Sequence, residues 1–193
     1  MKSQIGIFSG SFNPIHVGHL ILANYVREFT YLDEVWFVVS PQNPLKKNSS
    51  LLDDDIRLKM VEMALRPYHV FNVSDVEFHM PRPSFTIDML DKLSSEYPDK
   101  EFTLIIGYDN WMNFPKWKEY ERLQKQYKII VYPRLLDKKS MQKPHHSNVT
   151  LIDAPIVEIS STFIRERLKA GKNMRAFVPH EVYDYILENR IYQ

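Results

Sequence analysis

The sequence predicts an α/β fold: a Rossmann-like, doubly wound, mainly parallel sheet with helices on both faces, in a single domain over residues 1–193. Continuous apolar runs alternate with amphipathic stretches, and this alternation is typical of βαβ units around a parallel sheet. The length of 193 residues and the hydrophobic fraction of 44% are sufficient for one substantial core. Ligands of such sheets bind at the carboxyl ends of the strands, so functional residues are expected there.

Six short apolar segments are predicted to be strands. Four of them are continuous runs of the kind that is buried on both faces of a sheet, and two are shorter candidates. The continuous runs are residues 5–9, 35–39, 102–106 and 128–132, and the shorter candidates are residues 70–73 and 149–152.

Three helices are predicted from apolar side chains that recur at intervals of three and four residues. The first helix follows the first strand and runs to about Phe29, and the third is predicted to be capped by Ser84. We interpret their apolar stripes as core positions. These stripes are Leu22, Tyr25, Val26 and Phe29; Ile56, Met60, Met63 and Ala64; and Ile87, Leu90, Leu93 and Tyr97.

Composition and charge restrict the classes of function. The 25 basic and 24 acidic residues nearly cancel, so no general polyanion-binding surface and no nucleic-acid partner are expected. The absence of cysteine excludes disulfides and thiol catalysis and suits a reducing cytoplasm. No apolar run approaches membrane-spanning length and no signal-peptide pattern is present, so we expect a cytoplasmic protein with no membrane partner.

Two polar segments, residues 41–50 and 137–148, are predicted to be irregular loops. The first directly follows the end of a predicted strand and carries two lysines, so it is placed to cover a ligand. The second is interpreted as a solvated connection. No internal repeat and no linker between domains is evident.

The segment GSFNPIHVGH, residues 10–19, carries the strongest chemical signal. It joins the first strand to the first helix, and the free N–H groups of a helix start form a seat for phosphate. His16 and His19 are three residues apart and therefore face the same side, where both can reach one anion. A partial metal site, or histidines that only cap the helix or pack against the sheet, are the alternatives.

A second anion seat is predicted in the segment EISSTFIR, residues 158–165. Serine and threonine cluster where a helix is expected to start, with Ile164 facing inward. Ser161 and Arg165 lie four residues apart, so a hydroxyl and a guanidinium that can fork two phosphate oxygens project from one side. The alternative is an ordinary capped helix whose Arg165 pairs with Glu166 or Glu158.

These two segments together resemble the nucleotidyltransferase superfamily with (H/T)xGH and ISSTxxR-type motifs. Three further segments give a narrower resemblance to bacterial nicotinate-nucleotide adenylyltransferases: PSFT at residues 83–86, IIGYD at 105–109 and FPKW at 114–117. The motifs occur in the expected order and span nearly the whole chain. The resemblance implies a single nucleotidyltransferase domain whose C-terminal helices, from about residue 160, complete the ATP site.

The resemblance also implies a reaction. The enzyme would join ATP to nicotinate mononucleotide in the presence of Mg²⁺ and release pyrophosphate, giving deamido-NAD in NAD biosynthesis by direct in-line displacement. The nucleophile is an anionic phosphate oxygen, so no general base and no covalent nucleophile is required, and positioning and charge neutralisation remain. No metal ligand is assigned to the protein, and assembly into a homo-oligomer is left open.

The site residues implied by the resemblance fall into three groups. The catalytic residues are His16 and His19, which stabilise charge at the reacting α-phosphate, and Arg165, which holds the β- and γ-phosphates. The residues that bind ATP are Gly10, Ser11, Phe12, Gly18, Gly107, Asp109, Ser161 and Thr162. The residues that bind nicotinate mononucleotide are Lys46, Ser84, Thr86, Tyr108 and Trp117, with Trp117 stacking on the ring.

Two departures from the family pattern are present. Asn13 occupies a position where many relatives have Asp, and the segment PLKK at residues 44–47 differs from the usual PPHK, which bears on the role of Lys46. The alternatives are another transferase of the same fold, such as the enzyme acting on a coenzyme A precursor, and a fragment of a class I aminoacyl-tRNA synthetase. A nucleotide sensor without turnover and a zinc-binding regulator are the non-catalytic alternatives.

Overall fold

Apolar, largely buried strands form a single six-stranded sheet in the computed structural model, which describes residues 2–41, 51–134 and 146–193. All neighbouring strands are parallel, and their order is β3-β2-β1-β4-β5-β6. The sheet confirms all six predicted strands, with ends that differ by a few residues. The strands are β1 (Ser3–Gly10), β2 (Glu34–Val39), β3 (Phe71–Ser74), β4 (Lys100–Gly107), β5 (Lys128–Tyr132) and β6 (Val149–Leu151).

The strand order has its switch point between β1 and β4. The chain moves outward from β1 through β2 to β3 and then returns to place β4 on the other side of β1. Loops that follow the two central strands diverge at such a point and leave a crevice beyond their carboxyl ends. Gly10 ends β1 and Gly107 ends β4, so the crevice opens at two residues predicted to bind ATP.

Seven helices are found in the described part of the chain, and they include the three predicted from apolar periodicity. The helix predicted at the ISST segment is also present. The helices are α1 (Val17–Phe29), α2 (Asp54–Leu65), α3 (Thr86–Glu96), α4 (Tyr108–Met112), α5 (Tyr120–Gln126), α6 (Ser161–Lys169) and α7 (His180–Glu188), and 3₁₀ turns span Val76–His79, Phe114–Lys116 and Arg175–Phe177.

Helices cover both faces of the sheet, as the doubly wound fold requires. The alternating side chains of β1 show the division: Phe8 packs on one side, and Ile5 and Ile7 pack on the other. The side of Phe8 is covered by α1, α2, α6 and α7. The opposite side is covered by α3, α4 and α5 together with the turn that contains Phe114.

The amino ends of the strands form the edge of the sheet opposite the crevice. This edge carries polar pairs: the Gln4 side-chain amide donates to Glu101 at 3.0 Å, and the Lys128 ammonium lies 3.7 Å from the same carboxylate. None of the predicted site residues that the structure describes lies here. Within the described residues, no helix is long and apolar enough to span a bilayer.

The prediction that Ser84 caps α3 is wrong. Phe85 occupies the capping position, and no side chain caps this helix. The Ser84 hydroxyl is buried and donates a hydrogen bond of 2.6 Å to the carboxylate of Glu77. The carboxylate is a charged acceptor, so this buried hydrogen bond is stronger than one that the hydroxyl would make at the helix end.

Candidate active site

The two predicted histidines meet at the start of α1. Their rings stack with centroids 3.6 Å apart and planes inclined by 21°. The main-chain N–H of His16 donates to Nδ1 of His19 at 3.2 Å. In a neutral imidazole the other nitrogen then carries the hydrogen, so Nε2 of His19 is the donor available to a ligand.

Burial keeps both imidazoles neutral. His16 is 4% exposed, and desolvation, followed by the nearby charge of Arg134, lowers its pKa to about 4. Desolvation also lowers the pKa of His19 well below 6.5, with further contributions from His16 and Arg134. The pair therefore offers polar N–H groups to an anion without carrying charge of its own at neutral pH.

Gly18 is required by the ring of His16. A Cβ at this position would lie 3.1 Å from Nδ1 and 3.2 Å from Cε1 of that imidazole. The glycine thus leaves room for the ring, which accounts physically for the H-x-G-H spacing. Its predicted contact with ATP stays a prediction.

The turn after β1 has a conformation that few residues adopt. Phe12 has a φ of 42°, in the left-handed region, and its side chain is 2% exposed among aromatic neighbours. Its ring meets Phe8, Phe37 and the imidazole of His19, the last with centroids 5.1 Å apart. The buried side chain holds the turn, so Phe12 can meet a phosphate only through its backbone.

A buried arginine fastens the same turn from α2. The Arg57 side chain has no exposed surface, and it donates to the main-chain carbonyls of Ser11 at 2.7 Å and Ser40 at 2.8 Å. It also pairs with Asp54 on its own helix. Arg57 therefore joins the end of β1 to the end of β2.

The start of α6 contacts the turn directly. Ser161 Oγ donates to the carbonyl of Pro14 at 2.8 Å, and Arg165 Nη1 donates to the carbonyl of Asn13 at 2.8 Å. Ser160 caps the helix by accepting the N–H of Phe163 at 3.1 Å. The two predicted anion seats therefore lie side by side.

Arg165 does not form the surface ion pair considered as an alternative. Among the described residues it has no salt bridge to Glu158 or Glu166, and its Nη2 lies 3.4 Å from the hydroxyl of Thr162. The guanidinium is only partly buried. It therefore keeps donors that face the crevice beside the exposed Thr162.

A tyrosine near the end of the chain completes the packing of the turn. Tyr192 donates its hydroxyl to Oδ1 of Asn13 at 2.5 Å. Burial raises the pKa of Tyr192, while the charges of Arg165 and Arg57 oppose that rise. Asn13 is 3% exposed, so a carbonyl oxygen and a phenol replace the contacts that a carboxylate would make there.

The carboxyl end of β4 brings together Gly107, Asp109 and Arg134. A Cβ on Gly107 would lie 2.4 Å from Oδ1 of Asp109, so any other residue would displace that carboxylate. The Arg134 guanidinium lies 3.9 Å from Oδ2 of Asp109. Arg134 follows β5 and also lowers the pKa of both histidines, which places a cation beside them.

The start of α3 and the segment around Trp117 are joined by an ion pair. The Lys118 ammonium contacts both carboxylate oxygens of Asp88 on α3, at 2.8 and 3.0 Å. It also lies 5.0 Å from the ring centroid of Phe85. Because Thr86 begins α3, the two predicted residues Thr86 and Trp117 belong to segments that this contact holds together.

Three buried side-chain atoms in the described residues have no hydrogen-bond partner: Nδ1 of His16, Oδ1 of Asp109 and Nε1 of Trp117. Buried polar atoms are nearly always paired, so each of these three departs from the rule. All three belong to residues predicted to bind substrate.

Several predicted residues lie outside the group of residues described above. Lys46 and residues 137–145 of the second predicted loop lie outside the described residues. Tyr108 is buried at the start of α4, and Ser84 is held by Glu77. In the described part of the chain, no group of three or more histidine, aspartate or glutamate side chains is placed to hold a metal ion.

Sequence reasoning missed four residues that shape the site: Arg57, Glu77, Arg134 and Tyr192. Arg57 and Glu77 occur in charged surroundings that resemble solvated surface, and their burial depends on contacts distant in sequence. Arg134 had a usable signal, since it follows the carboxyl end of a predicted strand. Tyr192 gave no local signal.

Comparisons with known proteins agree with this geometry. A family model described as cytidylyltransferase-like matches residues 7–167. The "Probable nicotinate-nucleotide adenylyltransferase" of Bacteroides fragilis (strain YCH46) is 54% identical over 190 residues, covering 97% of this chain and 92% of the relative. The protein of the same name in Flavobacterium johnsoniae is 48% identical over 191 residues, covering 98% and 99%.

A solved structure has the same fold. The "Plasmodium falciparum nicotinic acid mononucleotide adenylyltransferase complexed with NaAD" superposes with a TM-score of 0.81 at 21% identity, covering 98% of this chain and 97% of that one. A second structure of that protein, complexed with APC, gives a TM-score of 0.79 at 21% identity. At this identity the likeness supports the fold, and the site residues stand on their own geometry.

Proposed function

Because the chain belongs to the nicotinate-nucleotide adenylyltransferase family, within the cytidylyltransferase-like proteins, we propose that its crevice transfers the adenylyl group of ATP to nicotinate mononucleotide. The products are deamido-NAD and pyrophosphate. One observation carries the proposal: Ser161 and Arg165 of α6 donate to the carbonyls of Pro14 and Asn13, next to the two histidines. A triphosphate laid across this junction meets donors from both helices.

The histidines act on the phosphate under attack. His19 presents Nε2–H to an oxygen of the α-phosphate, and the stacked imidazole of His16 lies beside it. As negative charge shifts during in-line displacement, these preorganised donors stabilise it, and their neutrality costs no proton transfer. The attacking phosphate oxygen is already anionic, so neither imidazole has to act as a base.

The start of α6 holds the leaving group. Arg165, already oriented by Asn13, presents the remaining donors of its fork to the β- and γ-phosphates. Thr162 is exposed at the same helix start and adds a hydroxyl. The backbone of Gly10, Ser11 and Phe12 approaches the phosphates from the side opposite α6, where side chains would take up the space that the phosphates need.

The acceptor nucleotide lies against α3 and Trp117. The first turn of α3 has no side-chain cap, so its N–H groups and partial positive charge suit a carboxylate. The Trp117 ring offers a stacking face, and its unpaired Nε1 offers a donor. Thr86 begins this helix, and Tyr108 begins the next helix beyond β4.

Mg²⁺ enters as the counter-ion of ATP in this proposal. It usually keeps several waters and binds through phosphate oxygens with few protein ligands. The donors of the crevice are imidazole, guanidinium and hydroxyl groups, which suit phosphate oxygens, and the described residues contain no cluster of three metal-binding side chains. We therefore assign the ion no protein ligand. When bound, it would neutralise charge on the phosphates that leave.

The test is a substrate panel. Purified protein is incubated with ATP, Mg²⁺ and one acceptor at a time: nicotinate mononucleotide, nicotinamide mononucleotide or phosphopantetheine. Dinucleotide formation is followed by chromatography and pyrophosphate release by a coupled assay. Preferred turnover of nicotinate mononucleotide supports the proposal. Dominant activity with phosphopantetheine would assign the chain to a different transferase, and absence of turnover with all three would indicate a sensor.

The wider expectations stay predictions. We expect that no nucleic acid or membrane takes part and that the reaction occurs in the cytoplasm. Mass measurement in solution will decide whether the protein forms a homo-oligomer. Assignment of the ATP site to one domain completed by α6 is part of the same proposal. Each can be measured on the purified protein or by localisation in cells.

A further inference from the structure

Glu77 is a buried carboxylate with three hydroxyl partners, and the mechanism above makes no use of it. It lies in the 3₁₀ turn Val76–His79 and is 5% exposed. Ser9 donates to Oε1 at 3.1 Å, and Ser40 and Ser84 donate to Oε2 at 3.0 and 2.6 Å. No salt bridge to Glu77 occurs among the described residues, so these hydroxyl groups are what stabilise the charge.

The three serines come from three separate segments. Ser9 lies in β1, next to Gly10, and Ser40 follows β2, where its N–H donates to the carbonyl of Gly10 at 2.9 Å. Both therefore belong to the side of the crevice that holds the turn for ATP. Ser84 lies two residues before α3, on the side assigned to the acceptor nucleotide. Glu77 is the group at which these two sides meet.

The start of α3 is held by several contacts. Ile87 is fully buried, and Asp88 pairs with Lys118, which joins the helix to the segment around Trp117. Phe85 provides no side-chain cap. Toward the turn after β1, Arg82 pairs with Asp54 at 2.6 Å, with an arginine side chain that is 55% exposed and a carboxylate that is 21% exposed, so solvent weakens this pair. The short bond from Ser84 to a buried carboxylate is the stronger anchor.

We infer that Glu77 is a positioning residue that fixes the start of α3, through Ser84, against the turn between β1 and α1. It sets where the acceptor nucleotide lies relative to the phosphates of ATP. This inference rests on the proposed function for its consequences in turnover, while the contact itself can be tested without substrate. It also gives Ser84 a role in placement, through its donated hydrogen bond.

The principal variant is Glu77→Gln, which preserves shape and removes charge. An amide has one acceptor oxygen in place of two and adds N–H donors, so at least one serine must reverse its hydroxyl, and the bond from Ser84 no longer has a charged acceptor. We expect the KM for nicotinate mononucleotide to rise by up to about tenfold, because the Ser84 bond weakens when its acceptor becomes neutral. The KM for ATP and kcat should stay within about twofold of wild type.

Two serine variants sharpen the test. Ser84→Ala, which deletes the bond, should raise this KM about tenfold, and the double variant Glu77→Gln/Ser84→Ala should be no worse than Ser84→Ala alone, because both changes act on the same contact. Ser9→Ala is the matched control: it deletes a hydroxyl bond to the same carboxylate on the β1 side and should change the acceptor KM by less than about twofold. Additive effects of the first pair would overturn the inference.

Hydrogen exchange gives a readout that needs no reaction. The first hydrogen-bonded amides of α3, beginning with Met89, whose N–H donates to the carbonyl of Phe85, should exchange faster in Glu77→Gln and Ser84→Ala than in wild type or Ser9→Ala, with α5 unchanged. Unchanged exchange there overturns the inference, as does a uniform increase throughout the chain, which indicates only lower stability. If wild type forms no dinucleotide, the proposed function fails, and exchange still decides the role of Glu77.

Discussion

The guanidinium Nη1 of Arg165 donates a hydrogen bond of 2.8 Å to the main-chain carbonyl of Asn13, although the two residues are 152 positions apart. The bond joins the start of α6 to the turn after β1 within the chain itself. One amino group of the planar guanidinium is fixed on the backbone of the turn after β1, and this contact orients the remaining N–H donors. A lysine could not do both.

Arg165→Lys is therefore expected to damage catalysis although charge is kept. The ammonium lacks the second branch, so it can meet either Asn13 or a phosphate, and kcat/KM for ATP should fall roughly 100-fold. Steady-state kinetics with ATP varied measure this. Arg167→Lys, two residues along the same helix with its guanidinium over the ring of Phe163, is the matched control. A loss of similar size in both variants would contradict the assignment.

His19→Ala is expected to lower kcat roughly 100- to 1,000-fold, because it removes a preorganised donor at the reacting phosphate. It also removes the acceptor for the N–H of His16. Single-turnover measurements with saturating substrates separate chemistry from binding. His69→Ala, at an exposed position between α2 and β3, should keep wild-type turnover. Near-normal kcat in His19→Ala would remove the histidines from the mechanism.

Trp117→Ala should mainly raise the KM for nicotinate mononucleotide, by about tenfold, since a stacking contact to a ring is lost. The KM for ATP should change little, because α6 and the turn after β1 hold that substrate. Trp117→Phe keeps an aromatic face and loses Nε1, so its KM for nicotinate mononucleotide should lie between those of wild type and Trp117→Ala. A folded Trp117→Ala protein with unchanged KM would place the pyridine ring elsewhere.

The lowered pKa of His16 predicts how stability depends on pH. The folded chain disfavours the imidazolium, so this contribution is complete above the unfolded value of 6.5 and is lost as pH falls toward about 4. The loss is on the order of 3 kcal/mol at the acid end. Urea unfolding of wild type and His16→Gln at pH 7.5 and 4.5 measures it. Equal pH dependence in both proteins would refute the prediction.

The fold could be predicted because its signals are local. The central strands are apolar runs, the two edge strands are shorter apolar segments, and α1, α2 and α3 carry apolar stripes at helical spacing. The short helix α4 could not be recognised in this way, because five residues are too few for a periodic pattern. The ends of strands were misplaced by a few residues, since pairing with neighbours decides where a strand stops.

The site was predictable where a motif itself carries the chemistry, as with His16, His19 and Arg165. The site could not be predicted at residues whose charge is stabilised by carbonyls or hydroxyls distant in sequence. Arg57 occurs in the segment DDDIRLK and looks like a solvated helical residue, yet it is fully buried against the carbonyls of Ser11 and Ser40. Such partners become visible only when the sheet is assembled.

Because all six strands run in the same direction, the protein has two ends that differ in how well they tolerate an attached group. Among the described residues, the groups assigned to chemistry lie beyond the carboxyl ends, whereas the amino ends present exposed pairs such as Gln4 with Glu101. A dye, an affinity handle or a surface tether attached near Glu101 would meet no nucleotide. The same end is the natural place for immobilising the protein when binding is measured.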